Sequence, residues 1–93
     1  MFVRALTITL FIQDALTLKD KRQVLQSLME RVRRKYNVAV AEVGYQEQWQ
    51  RSELGLAFIS NEFSYLDQLQ QEVLKFIEAR YPVEITEINV NDL

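Results

Sequence analysis

Neither cysteine nor histidine occurs among the 93 residues. That removes thiolate and imidazole nucleophiles, imidazole bases, Cys/His zinc sites and disulfides. The side chains left to do chemistry are carboxylates and a concentrated set of cations. Asp14, Asp20 and Glu47 are the carboxylates that fall near one another once the chain is folded in outline, but Asp14 suits a turn and Asp20 a helix cap. No nucleophile–base constellation emerges, so no catalytic residue, cofactor or metal is expected and the chain is not read as an enzyme.

The cations are distributed unevenly. Residues 1–37 carry eight Lys/Arg against three Asp/Glu, a balance of +5, whereas residues 38–93 carry three against ten, a balance of −7. A basic half meets polyanions; alternatively the two halves neutralise each other within one fold. The richest stretch is Thr17 to Tyr36, TLKDKRQVLQSLMERVRRKY. Its cations fall in two groups, Lys19, Lys21 and Arg22 at the start and Arg31, Arg33, Arg34 and Lys35 at the end.

The elements that must position these groups follow from periodicity. Phe2 to Ile12 alternates, with Phe2, Leu6, Ile8, Leu10 and Ile12 on one parity, which is a strand with one face on a core. Thr17 is an N-cap with Asp20 at the capping-box position. Leu18, Leu25, Leu28, Met29, Val32 and Tyr36 form the apolar stripe of a first helix, with Val24 at its border. Glu30 stands four residues before Arg34, the favourable spacing for a surface pair. The closing cations also suit the negative end of the helix dipole.

Val38 to Tyr45 reads as a second strand, 46–52 as a hairpin connection and Glu53 to Ser60 as a third strand with Leu54, Leu56 and Phe58 on its core face. Asn61, or Ser64 with Asp67, starts a second helix whose stripe is Phe63, Leu66, Leu69, Val73, Phe76, Ile77 and Tyr81. Pro82 stops it. Val83 to Val90 is the last strand, and the change of parity between Ile85 and Ile88 implies a bulge near Thr86–Glu87.

The order βαββαβ in one domain, residues 1–93, folds most simply as a ferredoxin-like α+β sandwich: a four-stranded antiparallel sheet with both helices on one face. This places the start of the first helix beside the 46–52 connection. Lys19, Lys21, Arg22, Trp49, Gln50 and Arg51 then share one edge, the candidate site for RNA or another anion. Free N–H groups at the helix start add to it. Trp49 has two readings, a base-stacking or pocket-filling contact and a lid over the open end of the core. Arg51 either stays free or pairs with Glu47 or Glu53. The RNA-recognition motif has the same topology and stacks bases on aromatics of its central strands. Leu54 to Ile59 keeps only Phe58 of that aromatic pattern, so the basic edge is the better RNA candidate.

Thr17-Leu18-Lys19-Asp20-Lys21-Arg22, Asn37 to Val43, Trp49-Gln50-Arg51 and Ser60-Asn61 together resemble the YlxP-like family of small bacterial proteins of unknown function, along essentially the whole chain. Thr17 stands where that family usually has Ser, Asp20 where it has Glu and Tyr45 where it often has His. The resemblance implies the ferredoxin-like fold and brings no catalytic residues. Its genes commonly neighbour those of translation initiation, transcription elongation and small-subunit maturation factors, which implies a ribosome-associated or RNA-binding accessory role. The alternative is a protein-interaction module, a homodimer through an edge strand, because Val38 to Val43 carries Glu42 as its one charged guard. No apolar run reaches membrane-spanning length and the alternating start does not read as a signal peptide, so a cytoplasmic protein without a membrane partner is expected.

Overall fold

The computed structural model describes all 93 residues. The elements run β1 (Phe2–Ile12), α1 (Leu18–Lys35), β2 (Ala39–Gly44), β3 (Arg51–Ser60), α2 (Phe63–Arg80) and β4 (Val83–Asp92). The strands form one sheet in the order β2-β3-β1-β4, every neighbouring pair antiparallel. This is the expected ferredoxin-like α+β sandwich, with β1 and β3 central and β2 and β4 at the edges.

Alternation on the central strands builds the core. Leu6 lies opposite Leu56 and Ile8 opposite Leu54, and these side chains are buried together with Leu10, Ile12 and Phe58. The helices close over them with Leu25, Leu28 and Val32 from α1 and Leu66, Leu69, Val73 and Ile77 from α2. Each fully buried side chain of this kind stabilises the fold by about 1.5–3 kcal/mol.

α1 starts as its sequence dictates. Thr17 is in extended geometry and its Oγ1 accepts from the Asp20 N–H at 3.1 Å, while Asp20 Oδ2 accepts from the Leu16 N–H at 3.1 Å. α2 starts differently from expectation. Its N-cap position is Glu62, which makes no side-chain cap bond, so neither Asn61 nor Ser64 caps it. Ser60 Oγ instead accepts from the Glu62 N–H at 3.0 Å and fixes the turn before the helix.

The parity change in β4 is a bulge at the expected place. Thr9 opposes Glu87 and Leu10 opposes Ile85, leaving Thr86 without an opposite residue while its hydroxyl donates to the Thr9 carbonyl at 3.3 Å. A second register shift lies at Val43, between Glu42 and Gly44 on β2.

Arg4 is a buried cation on the core face of β1. Its Nε donates to Asp92 at 2.6 Å, and its Nη1 donates to Asp67 at 2.8 Å and Gln70 at 2.9 Å. It thereby ties β1 to β4 and α2. These bonds, chiefly those from Asp92, push its guanidinium pKa up, and hydrogen bonding to Arg4 holds the Asp92 carboxyl below its ordinary range.

Candidate functional site

The connection after β1, the start of α1, the loop between β2 and β3 and the start of β4 meet at one edge of the sandwich. The Ile12 N–H donates to the Gln50 carbonyl at 2.8 Å and the Gln13 N–H to the Pro82 carbonyl at 3.2 Å. Lys21 Nζ, on the first turn of α1, reaches the Arg51 carbonyl, so the start of α1 adjoins the loop that carries Trp49 and Gln50; the six predicted site residues do different work.

Lys21 is the principal correction. It is 0% exposed and cannot meet a ligand in solution. It lies on the apolar stripe of α1 with Leu25, Leu28 and Val32. Its Nζ donates to the carbonyls of Tyr45 at 2.9 Å, Arg51 at 3.1 Å and Gln46 at 3.3 Å, and stands 3.0 Å from Glu42 Oε2. Ser52 Oγ donates to the same carboxylate oxygen at 2.7 Å. A buried ammonium is costly unless paired and saturated with acceptors, and this one is. Its function is structural: it pins the 45–51 backbone to α1.

That backbone presents the rest of the edge. Tyr45 adopts a left-handed conformation with φ of 57°, and the Arg51 guanidinium sits over its ring, 5.0 Å from the centroid. Arg51 pairs with neither Glu47 nor Glu53; its one polar link to α1 is its own carbonyl on Lys21. Trp49 is 43% exposed and does not join the hydrophobic core, so it is not a lid. Lys19 and Arg22 are exposed, without a salt bridge. Gln50 is half-buried and holds β1 through its carbonyl. What reaches solvent is thus three free cations, Lys19, Arg22 and Arg51, with an exposed indole on the adjoining loop. Such a surface can neutralise phosphates and stack on a base.

The open sheet face offers no aromatic platform at its centre. It is built from Ala39, Ala41, Val43, Gly55, Ala57, Ala5 and Thr7, with Phe11 exposed only at its end. No three acidic side chains converge in a metal-binding group. No helix is long and apolar enough to cross a membrane.

The second basic group also departs from expectation. Arg34 does not pair with Glu30, and Arg33 donates to the Val40 carbonyl at 2.8 Å, tying α1 to β2. Sequence reasoning missed Arg80 as a neighbour of this group; its place at the end of α2 was the available signal.

The family described as "Protein of unknown function (DUF503)" matches residues 3–90. The "Uncharacterized protein YlxP" of Bacillus subtilis (strain 168) is 41% identical over 75 residues, covering 81% of this chain and 82% of that protein. Among solved structures, the "De novo designed protein Foldit4" aligns with a TM-score of 0.54 at 14% identity, covering 100% of this chain and 97% of that one. The likeness to the designed protein concerns the fold alone.

Proposed function

We propose that the chain, which belongs to the DUF503 family of unknown function, is a non-enzymatic accessory factor that binds structured RNA, on or near the small ribosomal subunit, through the edge formed by Lys19, Arg22, Trp49, Gln50 and Arg51. The observation that carries this reading is that two unpaired cations at the start of α1 adjoin a loop bearing an exposed tryptophan and the unpaired Arg51, its backbone held to α1 by a buried lysine. Phosphate neutralisation supplies affinity and the indole supplies a stacking surface.

Anisotropy titration of the full chain against a structured small-subunit RNA tests it. Three phosphate contacts predict a loss of affinity of about 40-fold between ~50 and ~200 mM salt. The variant Lys19→Glu/Arg22→Glu/Arg51→Glu should abolish binding with its fold intact. Salt-insensitive binding, or none, removes the proposal.

A second reading, a homodimer through β2, has its own support. Glu42, the one charge on that edge strand, is turned inward and engaged by Lys21 and Ser52, so no charge guards the strand against pairing with another copy. Light scattering at high micromolar concentration should then show a dimer that Val43→Lys dissociates; a monomer under those conditions ends this reading.

A further inference from the structure

α1 and α2 run antiparallel and are staggered, so that their C-terminal halves lie side by side. Ser27 Oγ is 3.2 Å from the Tyr81 hydroxyl, and the Tyr36 hydroxyl donates to the Glu72 carbonyl at 3.3 Å. The Phe76 ring fills the seam between, edge-on to Tyr36 and Tyr81. The stagger brings two basic helix ends together. Arg31, Arg34 and Lys35 from α1 and Arg80 from α2 line an open groove of about 290 Å³ with Phe76 as its only other wall.

None of these four cations makes a salt bridge or donates a side-chain hydrogen bond to the protein. Lys35 and Arg80 each stand 5.6 Å from the Phe76 centroid, which holds them in place and leaves their donors outward. No acidic side chain lines the groove: Glu30, Glu72 and Glu78 all lie outside it, and Glu72 and Glu78 are turned to Gln68 and the Ile85 N–H. The two helix dipoles together offset about one charge, so the lining itself carries a surplus of roughly three.

We infer that this groove binds a run of contiguous phosphates, as in inorganic tripolyphosphate or the triphosphate tail of a nucleotide. A single phosphodiester brings one charge and leaves the groove overcharged, whereas a triphosphate brings three or four to one place. Three guanidinium forks and an ammonium match its many oxygens, several of them bidentately. The groove is smaller than a typical drug-sized pocket and suits the phosphate chain rather than a whole nucleotide. It is separate from the RNA edge: Arg22 and Arg31, nine residues apart, lie on opposite sides of α1, roughly 180° around its axis.

Calorimetric titration of the full chain with tripolyphosphate, ATP, GTP and inorganic phosphate, alongside a duplex RNA with 5′-hydroxyl ends, tests the inference. The expected result is saturable one-to-one binding of tripolyphosphate, at least about tenfold tighter than phosphate. Arg31→Gln/Arg80→Gln should weaken it by at least about tenfold, and Arg34→Gln measurably, while Lys19→Glu/Arg22→Glu leaves it unchanged. Amide shifts on titration should centre on Arg31, Lys35 and Arg80, a readout that needs no variant. ATP or GTP binding much more tightly than tripolyphosphate identifies a nucleotide as the source; equal affinity identifies the phosphate chain alone. The inference is overturned if tripolyphosphate does not saturate, if the groove variants leave its binding unchanged, or if the duplex RNA alone binds there.

Discussion

Two long cations buried on apolar faces decide how this molecule is held. Lys21 occupies a core position of α1 and Arg4 a core position of β1, and neither leaves a buried polar atom without a partner. Replacing Lys21 by Met keeps much of the volume but strands Glu42 and deprives three carbonyls of their donor. Breaking one side of a buried pair costs about 3–5 kcal/mol, so urea unfolding of Lys21→Met should show an unfolding free energy lowered by about that amount, read as a lower midpoint with little change in slope. Adding Glu42→Gln should recover part of the loss, since the stranded charge is then gone. Arg4 sets a pH dependence. Its bonds hold the Asp92 carboxyl below the ordinary 3.8. The folded value being the lower one, this stabilisation is complete above the ordinary pKa and disappears as pH falls through the folded one. Asp92→Asn should therefore flatten the stability curve below about pH 4 and remove the corresponding step in an acid titration followed by circular dichroism.

Elements were legible where a period was long enough to read, and their ends where the cap is local. The spacing of Leu18, Leu25, Leu28 and Val32 marks α1, and Thr17 with Asp20 marks its start within four residues of chain. The β4 bulge was legible too, because Val83 and Ile85 disagree in phase with Ile88 and Val90. The roles of Lys21 and Arg4 were not read, although Lys21 falls on the same stripe as Leu18 and Leu25 and Arg4 on the same parity as Leu6. Their partners, Glu42 and Asp92, belong to strands far along the chain, and only the folded sheet brings them near. The Val43 shift has no such phase signature, since Gly44 and the left-handed Tyr45 follow it directly. The start of α2 was misread because Asn61 and Ser64 are good capping residues lying one position too early and two too late. Its actual N-cap, Glu62, has extended geometry and no side-chain bond to the helix. Glu62→Asp shortens the carboxylate to the reach that caps require, and should stabilise the protein by about 0.5–1 kcal/mol. A thermal melt at neutral pH checks this; no gain would mean that the Ser60 turn already governs the helix start.

At the scale of the whole molecule, charge is segregated rather than paired. The chain carries 11 basic and 13 acidic side chains, yet its salt bridges are confined to Arg4 with Asp67 and Asp92 and to Lys21 with Glu42. Seven of the nine remaining cations lie on two surfaces, Lys19, Arg22 and Arg51 at the edge around Trp49 and Arg31, Arg34, Lys35 and Arg80 in the groove between the helices. Gathering like charges carries a stability cost, and the groove is where it is most readily measured. Arg31 stands three and four residues before Arg34 and Lys35 and faces Arg80 across the seam. It also precedes the last turn of α1, whose cations are Arg33, Arg34 and Lys35, so it gains little from the helix dipole. Each like-charge neighbour on a helix destabilises by about 0.2–0.5 kcal/mol. Arg31→Gln should therefore raise the stability of the free protein by about 0.5–1 kcal/mol at low ionic strength, and that gain should vanish in high salt, where the repulsion is screened. With tripolyphosphate present the order should reverse, because the ligand stabilises the chain that binds it better. Paired melts of the two proteins, with and without salt and ligand, separate a groove maintained for binding from one whose repulsion is incidental. A wild-type protein that is already the more stable of the two without ligand would show that Arg31 is held by interactions within the fold.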